Sequence, residues 1–160
     1  MYPEFSTTIS ESDYSDCVKQ SNEILIPRPL VLCFHFPLQR PRHDYLTDLQ
    51  HELKLKGRLF DRDREVHQLG WDNRGETDIS SLEKERLMVM VRSQFQLSPD
   101  FSLARARNDS LAGSGFDLVG FGLGAISRID NNYFQNTADP DRYHTHLALR
   151  QLPVTRGCRR

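Results

Sequence analysis

The sequence predicts an α/β protein in which short buried strands alternate with helices and form a parallel sheet. A continuous apolar run, Leu30–Phe36, has the composition of a strand covered on both faces. Residues 44–60 carry apolar side chains at helical spacing, and residues 66–71 are a second strand candidate. A strand, a helix and another strand in this order imply a parallel pair joined by a right-handed crossover.

The other elements of the amino-terminal part follow from local signals. Residues 13–24 predict a short helix, which the proline-containing segment after them terminates. Glu52 and Lys56, in the second helix, lie one turn apart and can form an ion pair. Ser80 followed by Glu83 is a capping box, so a third helix is predicted to begin there.

The carboxyl-terminal part carries weaker signals. Residues 98–114 are polar without a clear period and are predicted to be irregular, and residues 117–124 have the pattern of a buried strand that ends in glycines. Residues 138–151 predict a short polar helix, and the last residues, LPVTRGCRR, predict a mobile basic tail. Two parallel strands and one glycine-rich strand do not close a sheet. We therefore expect pieces of a larger α/β fold with open strand edges.

Composition and charge argue against several classes of function. The chain has 160 residues, a formal net charge of -1 and a mean hydropathy of -0.59, which give no electrostatic reason to bind nucleic acid or membrane. No apolar stretch approaches the roughly 18 residues of a membrane span. The amino terminus is polar and acidic, unlike a secretory signal, and the widely spaced cysteines fit a reduced protein. We expect a cytoplasmic protein with neither nucleic acid nor membrane as a partner.

The segment GFGLGA, residues 120–125, satisfies the G-x-G-x-x-G/A pattern of dinucleotide-binding folds and follows a strand-like segment. That chemistry requires a helix directly after the glycines, because the helix amino terminus holds the pyrophosphate. Asn131 and Asn132 interrupt the following residues after barely one helical turn. Glycines that allow close backbone packing are therefore the favoured interpretation.

The histidines offer two candidate sites. His144 and His146 lie near Asp139 and Asp141, so a metal site is one interpretation. Residues two apart do not share a helix face, and a set of four ligands at zinc spacing is absent, so surface histidines are favoured. His35 lies in an apolar strand and is interpreted as a core histidine rather than a catalyst.

The cysteines form no chelating motif. Cys17, Cys33 and Cys158 have no C-x-x-C spacing, and none is followed by proline. Cys33 lies in an apolar run and is predicted to be inert, whereas Cys158 is the best candidate for a reactive thiol. A cluster of arginines near the carboxyl end is interpreted as a solvated surface rather than a nucleic-acid site. It comprises Arg150, Arg156, Arg159 and Arg160.

Several blocks of the chain, in order, resemble the oxygen-independent coproporphyrinogen III oxidases (dehydrogenases), radical S-adenosylmethionine enzymes of haem biosynthesis. IPRPLVLCFHFP is similar to the family's RPLSLYVHIPFC, and the region that begins HQLGWDNRGETDI is similar to its QLHWGGGTPTYL. GFDLVGFGLGAISRIDNNYFQN is similar to DLLGxGxSAISxIGxxYxQN. Tyr2-Pro3 resembles the family's YPT, and LPVTRG resembles the connector to its last domain. The resemblance implies a partial (β/α) barrel of radical-SAM type, with two βα units in residues 1–102 and a remnant of a later barrel segment in residues 103–160.

The departures from the family's pattern fall on its cofactor sites. The family's C-x-x-x-C-x-x-C motif supplies three thiolates to a [4Fe–4S] cluster, and Gln39 stands at the first of these positions. Residues 40–43 lead directly into the next helix, so the other ligands are missing. The family's Gly-Gly-Gly-Thr-Pro, which approaches S-adenosylmethionine, is replaced by DNRGE at residues 72–76, and Cys33 replaces a tyrosine. We also expect a long barrel segment and the family's carboxyl-terminal domain to be absent. We expect neither a bound cofactor nor a metal site.

Few of the family's cofactor-binding positions remain. The isoleucine that contacts a second S-adenosylmethionine in the family corresponds to Ile126, and the glutamine that shares this contact falls on Asn108. His35 and Pro37 are retained, but the thiolates that they positioned are not. The resemblance therefore implies no catalytic residue.

The first hypothesis is a degenerate, truncated coproporphyrinogen III dehydrogenase-like protein, related to haem and porphyrin biosynthesis but without radical catalysis. Its open strand edges predict self-association or docking on a full-length enzyme of the family. One alternative is a porphyrin- or haem-binding or regulatory protein, with His35, His144 or His146 as the axial ligand. Another is residual coproporphyrinogen III oxidation, with a cluster bound by the scattered cysteines or supplied by a partner.

Overall fold

The structure is a computed structural model that describes residues 5–6, 9–37, 44–73, 79–105 and 115–158. Four helices and seven strands lie in these ranges. The helices are α1 (Glu11–Asn22), α2 (Tyr45–Gly57), α3 (Ser81–Gln94) and α4 (Pro140–Ala148). The strands are β1 (Leu30–Phe36), β2 (Val66–Asn73), β3 (Leu97–Arg105), β4 (Asp117–Phe121), β5 (Ile126–Ile129), β6 (Asn132–Asn136) and β7 (Val154–Cys158).

The strands form one mixed sheet in the order β3-β2-β1-β4-β5-β6-β7. The first four strands in this order are parallel, and the pairings from β4 to β7 are antiparallel. The predicted parallel α/β core is therefore confirmed, with β1 at its centre. The division proposed at residue 102 falls within β3, and strands from both predicted segments pair in this sheet. The assignment of residues 1–102 and 103–160 to an earlier and a later segment of the family's barrel stays a prediction.

Alternate residues of β1 face opposite sides of the sheet. Leu32 and Phe34 belong to a large apolar cluster to which all four helices contribute. Val31 and Cys33 belong to a second, small cluster with Leu118 of the adjacent strand β4. The helices thus cover one face of the sheet, and β1 is buried on both faces as its apolar sequence predicts.

Helix boundaries follow the capping signals. The predicted capping box of α3 is confirmed, because the Glu83 backbone N–H donates to Ser80 Oγ and the Ser80 N–H donates to a Glu83 carboxylate oxygen, both at 3.1 Å. Asp44 caps α2 through the backbone N–H of Leu46, at 3.2 Å from Oδ1. The helix predicted over residues 13–24 is present two residues earlier, and those predicted over 44–60 and 138–151 are present with shorter bounds.

Four strands were missed by the sequence analysis. The prediction that residues 98–114 are irregular is wrong over β3, where pairing with β2 satisfies the backbone of a polar segment. Residues 106–114 lie outside the described residues. The hairpin of β5 and β6 turns at Asp130 and Asn131, which have φ of 48° and 67°. Two polar residues that tolerate positive φ are typical of a tight hairpin turn, so this signal was present in the sequence.

The predicted mobile tail is also wrong for its described part. Val154–Cys158 forms β7, which pairs with β6. Ser6 and Gly157 then exchange two backbone hydrogen bonds of 2.7 and 3.0 Å, so the amino-terminal segment covers part of the outer edge of β7. Within the described ranges, no helix is long and apolar enough to cross a membrane.

Candidate functional site

The carboxyl ends of β1, β2 and β4 meet at one edge of the parallel sheet, where α/β proteins place their sites. His35 is paired in register with Asp72 of β2, and its Nδ1 lies 3.4 Å from a carboxylate oxygen of Asp72. The two side chains are 14% and 20% exposed. His35 is therefore oriented by a carboxylate at the edge of the core. The sequence analysis missed this partner, because strand register alone brings the two residues together.

The glycine segment, residues 120–125, packs against this edge. Gly122 has φ of 109°, and a Cβ placed on it would lie 2.6 Å from the His35 carbonyl oxygen and in severe overlap with Tyr45 Oη. The element that follows is strand β5 rather than a helix. The interpretation of these glycines as close-packing residues is therefore confirmed, and the helix that a dinucleotide site requires is not there.

The hydroxyl of Tyr45 ties the glycine segment to β1. It donates a hydrogen bond to the carbonyl oxygen of His35 and accepts one from the backbone N–H of Leu123 at 2.9 Å. Tyr45 is the first residue of α2 and is 3% exposed. One side chain thus links the end of β1, the start of α2 and the loop after β4.

An ion pair lies behind the glycine segment in the core. Lys56 Nζ is 2.7 Å from Glu52 Oε2, and both side chains are 0% exposed. The predicted contact between these residues is confirmed, but the sequence analysis did not foresee its burial. Lys56 also donates to the carbonyl oxygen of Gly120 at 2.6 Å and to Asn136 Oδ1 at 3.3 Å. The ammonium group therefore holds β4 and β6 to α2.

The carboxylate of Glu52 accepts hydrogen bonds from three further donors. These are the backbone N–H of Gly122 at 2.8 Å, the hydroxyl of Tyr143 at 2.7 Å and the side-chain amide of Asn136 at 2.7 Å. Burial lowers the pKa of Lys56, and the neighbouring carboxylate partly offsets this shift. Burial and the charge of Glu52 raise the pKa of Tyr143 well above its ordinary value. This Glu52 network positions the glycine segment and is closed to solvent, so its chemistry is structural.

Of the two residues predicted to bind a cofactor, Ile126 lies within the described residues and Asn108 does not. Ile126 begins β5, where it is half-buried and pairs with Gln135 of β6. Its carbonyl oxygen lies against Gly120, where an added Cβ would be 2.4 Å away. Asn108 lies outside the described residues, as do Gln39, residues 40–43 and residues 74–76. A shared contact of Ile126 and Asn108 with a ligand stays a prediction.

The three cysteines lie in separate parts of the fold and form no disulfide. Cys17 of α1 donates to the carbonyl oxygen of Ile129 at 3.5 Å, and Asn132 Nδ2 lies 3.3 Å from the same sulfur. Cys33 is 0% exposed, and burial together with the charge of Asp72 raises the pKa of its thiol far above the ordinary value. The prediction that Cys33 is unreactive is supported by this shift. Cys158 is half-buried in β7 rather than in a mobile tail.

The prediction of surface histidines on α4 is supported for His144, whose side chain is 39% exposed, whereas His146 is partly buried. His144 Nδ1 lies 3.0 Å from both carboxylate oxygens of Asp48 on α2, and His146 is half-buried with its Nδ1 in the interior. The contact between α4 and α2 brings Asp48 to His144, which a single helix pattern does not reveal. No group of three histidine, cysteine or acidic side chains suited to a metal ion occurs among the residues that the structure describes.

Comparison with known proteins gives two matches. No family model matches the chain. The chain is 40% identical over 68 residues to an oxygen-independent coproporphyrinogen III oxidase from Pseudomonas aeruginosa, and the match covers 37% of this chain but 15% of that relative. The fold is similar to that of coproporphyrinogen III oxidase from Escherichia coli, which is described as a radical SAM enzyme. This structural match has a TM-score of 0.74 and 14% identity, and it covers 96% of this chain and 76% of the other. The predicted resemblance and the predicted fold, a fragment of a radical-SAM-type barrel, are confirmed.

Proposed function

We propose that this chain is a pseudoenzyme related to the coproporphyrinogen III oxidases, which retains part of their scaffold without a [4Fe–4S] cluster or radical catalysis. The observation that carries this proposal is the position of the cysteines in the sequence of the chain. Gln39 occupies the position of the first cluster ligand, and the three cysteines of the chain lie far from one another in sequence. Because such clusters are held by cysteine thiolates, the chain has no ligand set for one.

The positions of the cysteines in the fold support this proposal. β1, with Cys33, and β7, with Cys158, are separated by three intervening strands. At about 4.8 Å per strand the two thiols are roughly 19 Å apart, too far to share one cluster. Cys17 lies on a helix, and its sulfur already contacts the backbone of Ile129 and the amide of Asn132. The residues present therefore do not fit the cluster.

The edge at which the family binds its cofactors carries a different set of contacts in this chain. Asp72 stands where the resemblance places the first of three glycines, and its carboxylate faces His35. A charged side chain at this position occupies space that the family leaves for S-adenosylmethionine. Cysteines that are not in disulfides also suit the cytoplasmic location that we propose.

Anaerobic reconstitution with iron and sulfide tests the proposal. We expect no cluster absorption in the visible range, and we expect an iron content equal to that of a matched variant in which all three cysteines are alanine. The wild-type chain contradicts the proposal if it binds a cluster that the variant does not bind. A cluster supplied by a partner is tested by repeating the assay with an intact enzyme of the family.

A partner-binding role is the second candidate, because β3 is the last strand of the sheet. Beyond β3 no further strand pairs with it among the described residues, and Leu103 on this strand is 44% exposed. Parallel edge strands offer unpaired backbone groups to other chains. We propose that this edge supports self-association or docking on a full-length enzyme of the family.

The haem-binding alternative has less physical support. His35 is held against Asp72, and His144 is held against Asp48. An axial bond from either imidazole to haem iron would compete with a carboxylate contact that the fold already makes. Haem binding and residual coproporphyrinogen oxidation therefore remain weaker proposals.

A further inference from the structure

We propose that a surface cavity between α2 and the end of α4 binds a small multivalent oxyanion, a molecule with two or more carboxylate or phosphate groups on a partly apolar body. The cavity has a volume of about 430 Å³, within the range of small-molecule sites. The residues that carry the inference are His51, Lys54, Leu55, Arg58, Leu147 and Arg150. This inference is independent of the function proposed above.

Three basic side chains of α2 lie on one face of the helix. His51, Lys54 and Arg58 are spaced by three and four residues, which places them one above another along the cavity. Lys54 and Arg58 carry like charges one helical turn apart, and a counter-ion would relieve their mutual repulsion. Among the residues that the structure describes, none of the three has a carboxylate within ion-pair distance, and the cavity lining contains no acidic residue.

Arg150 brings a further cation from the end of α4. It has φ of 57°, and its backbone N–H donates to the carbonyl oxygen of Leu147 at 3.0 Å in the cap that terminates the helix. Glycine is the usual residue at such a left-handed capping position, because it adopts this conformation without strain. An arginine is found there instead, with its side chain at the cavity.

The base of the cavity is apolar. Leu147 is 3% exposed, and Leu55 is partly buried against the main core. Guanidinium and ammonium groups around an apolar base match a ligand with charged groups on its rim and a hydrocarbon or aromatic body. Inorganic ions alone would use only the charged part of this surface.

Favourable interaction of basic residues with the helix dipole is the alternative explanation. It accounts for Lys54 and Arg58, which lie in or just after the last turn of α2. It also accounts for Arg150, which lies just after the end of α4, but it does not account for His51, which lies earlier in α2. Lys19 and Arg92 occupy equivalent last-turn positions in α1 and α3 and serve as matched controls.

Isothermal titration of the full chain at low ionic strength tests the inference with three probes. Inorganic pyrophosphate represents phosphate groups, trimesate represents several carboxylates on an aromatic body, and benzoate represents a single carboxylate. We expect saturable binding of pyrophosphate or trimesate and much weaker binding of benzoate, because charge-assisted hydrogen bonds add with each oxyanion group. The stronger of the two multivalent probes identifies the class of oxyanion.

Variants then locate the binding. The double variant Lys54→Gln/Arg58→Gln should weaken binding at least about tenfold, as loss of charge-assisted hydrogen bonds predicts. The control Lys19→Gln/Arg92→Gln removes the same charge and should leave the affinity unchanged. Arg150→Gly, which relieves the left-handed conformation and so should not impair folding, should also weaken binding. The inference is wrong if neither multivalent probe saturates, or if control and cavity variants lose affinity equally.

Discussion

The buried pair of Glu52 and Lys56 allows the sharpest prediction about this fold. Both side chains are 0% exposed, and their charged atoms are 2.7 Å apart. The replacement Lys56→Met keeps an unbranched apolar stem, one atom shorter, and removes the charge. The carboxylate of Glu52 is then left in the core with neutral donors only.

The expected loss of stability follows from the contacts that remain. Removing one partner of a buried ion pair costs about 3–5 kcal/mol, because an uncompensated charge stays in the interior. Three neutral hydrogen bonds of 2.7 to 2.8 Å still stabilise the carboxylate, so we expect about 3 kcal/mol, the lower end of this range. With a urea slope of about 2 kcal/mol per molar, the unfolding midpoint should fall by about 1.5 M.

Urea unfolding followed by tryptophan fluorescence measures this change. Trp71 is the single tryptophan of the chain and is 6% exposed, so its emission reports loss of the core. Lys54→Met, on the exposed face of the same helix, is the matched control and should leave the midpoint unchanged.

A double-mutant cycle completes the test. The double variant Glu52→Gln/Lys56→Met removes both charges. Its loss in free energy of unfolding should be about 1–3 kcal/mol smaller than the sum of the losses of the two single variants. The reasoning is refuted if Lys56→Met costs less than about 1 kcal/mol, or if the two changes are simply additive.

Three further predictions follow from the same structure. Gly122→Ala should destabilise the fold by about 3 kcal/mol, because the added Cβ would overlap the hydroxyl of Tyr45. The control Gly124→Ala, whose Cβ would have its nearest neighbour at 3.7 Å, should cost about 1 kcal/mol, and equal losses of the two variants in urea unfolding would contradict this. Tyr143 keeps its proton in the folded state, whereas the unfolded chain releases it near pH 10.0. The contribution of this group to the free energy of unfolding is therefore present below pH 10.0 and is lost as the pH rises above it. In unfolding curves measured over a pH series, Tyr143→Phe should reduce the loss of stability above pH 10.0. Leu103→Lys should reduce self-association measured by sedimentation velocity, because it places a charge on the edge strand β3. The control Val89→Lys on α3 should not reduce it. A wild-type chain that stays monomeric at all concentrations would exclude association through β3.

Local sequence patterns were sufficient where an element is defined by its own residues. The apolar run of β1 was predicted with its bounds, and the capping box placed the start of α3. The glycines after β4 were correctly interpreted as packing residues, because the helix needed by the alternative has no support in the residues that follow. In each case the deciding signal is a pattern among residues that are neighbours along the chain.

Strands that depend on distant partners were not predicted. β3 and β7 carry polar residues, and they are strands because β2 and β6 supply their hydrogen bonds. The hairpin turn at residues 130–131 was visible as two polar residues that tolerate positive φ, but the strands beside it are only four and five residues long. Strands of that length give a weak periodic signal.

The sequence by itself determined the α/β class, the resemblance to the coproporphyrinogen oxidases and the glutamine at the first ligand position. Only the tertiary structure decided that Asp72 faces His35, that Glu52 and Lys56 are buried, and that basic side chains of α2 and α4 share one cavity. The physical reason is that each of these features depends on contacts between residues remote in the chain. Strand register and helix packing set them, and neither is encoded in the spacing of neighbouring residues.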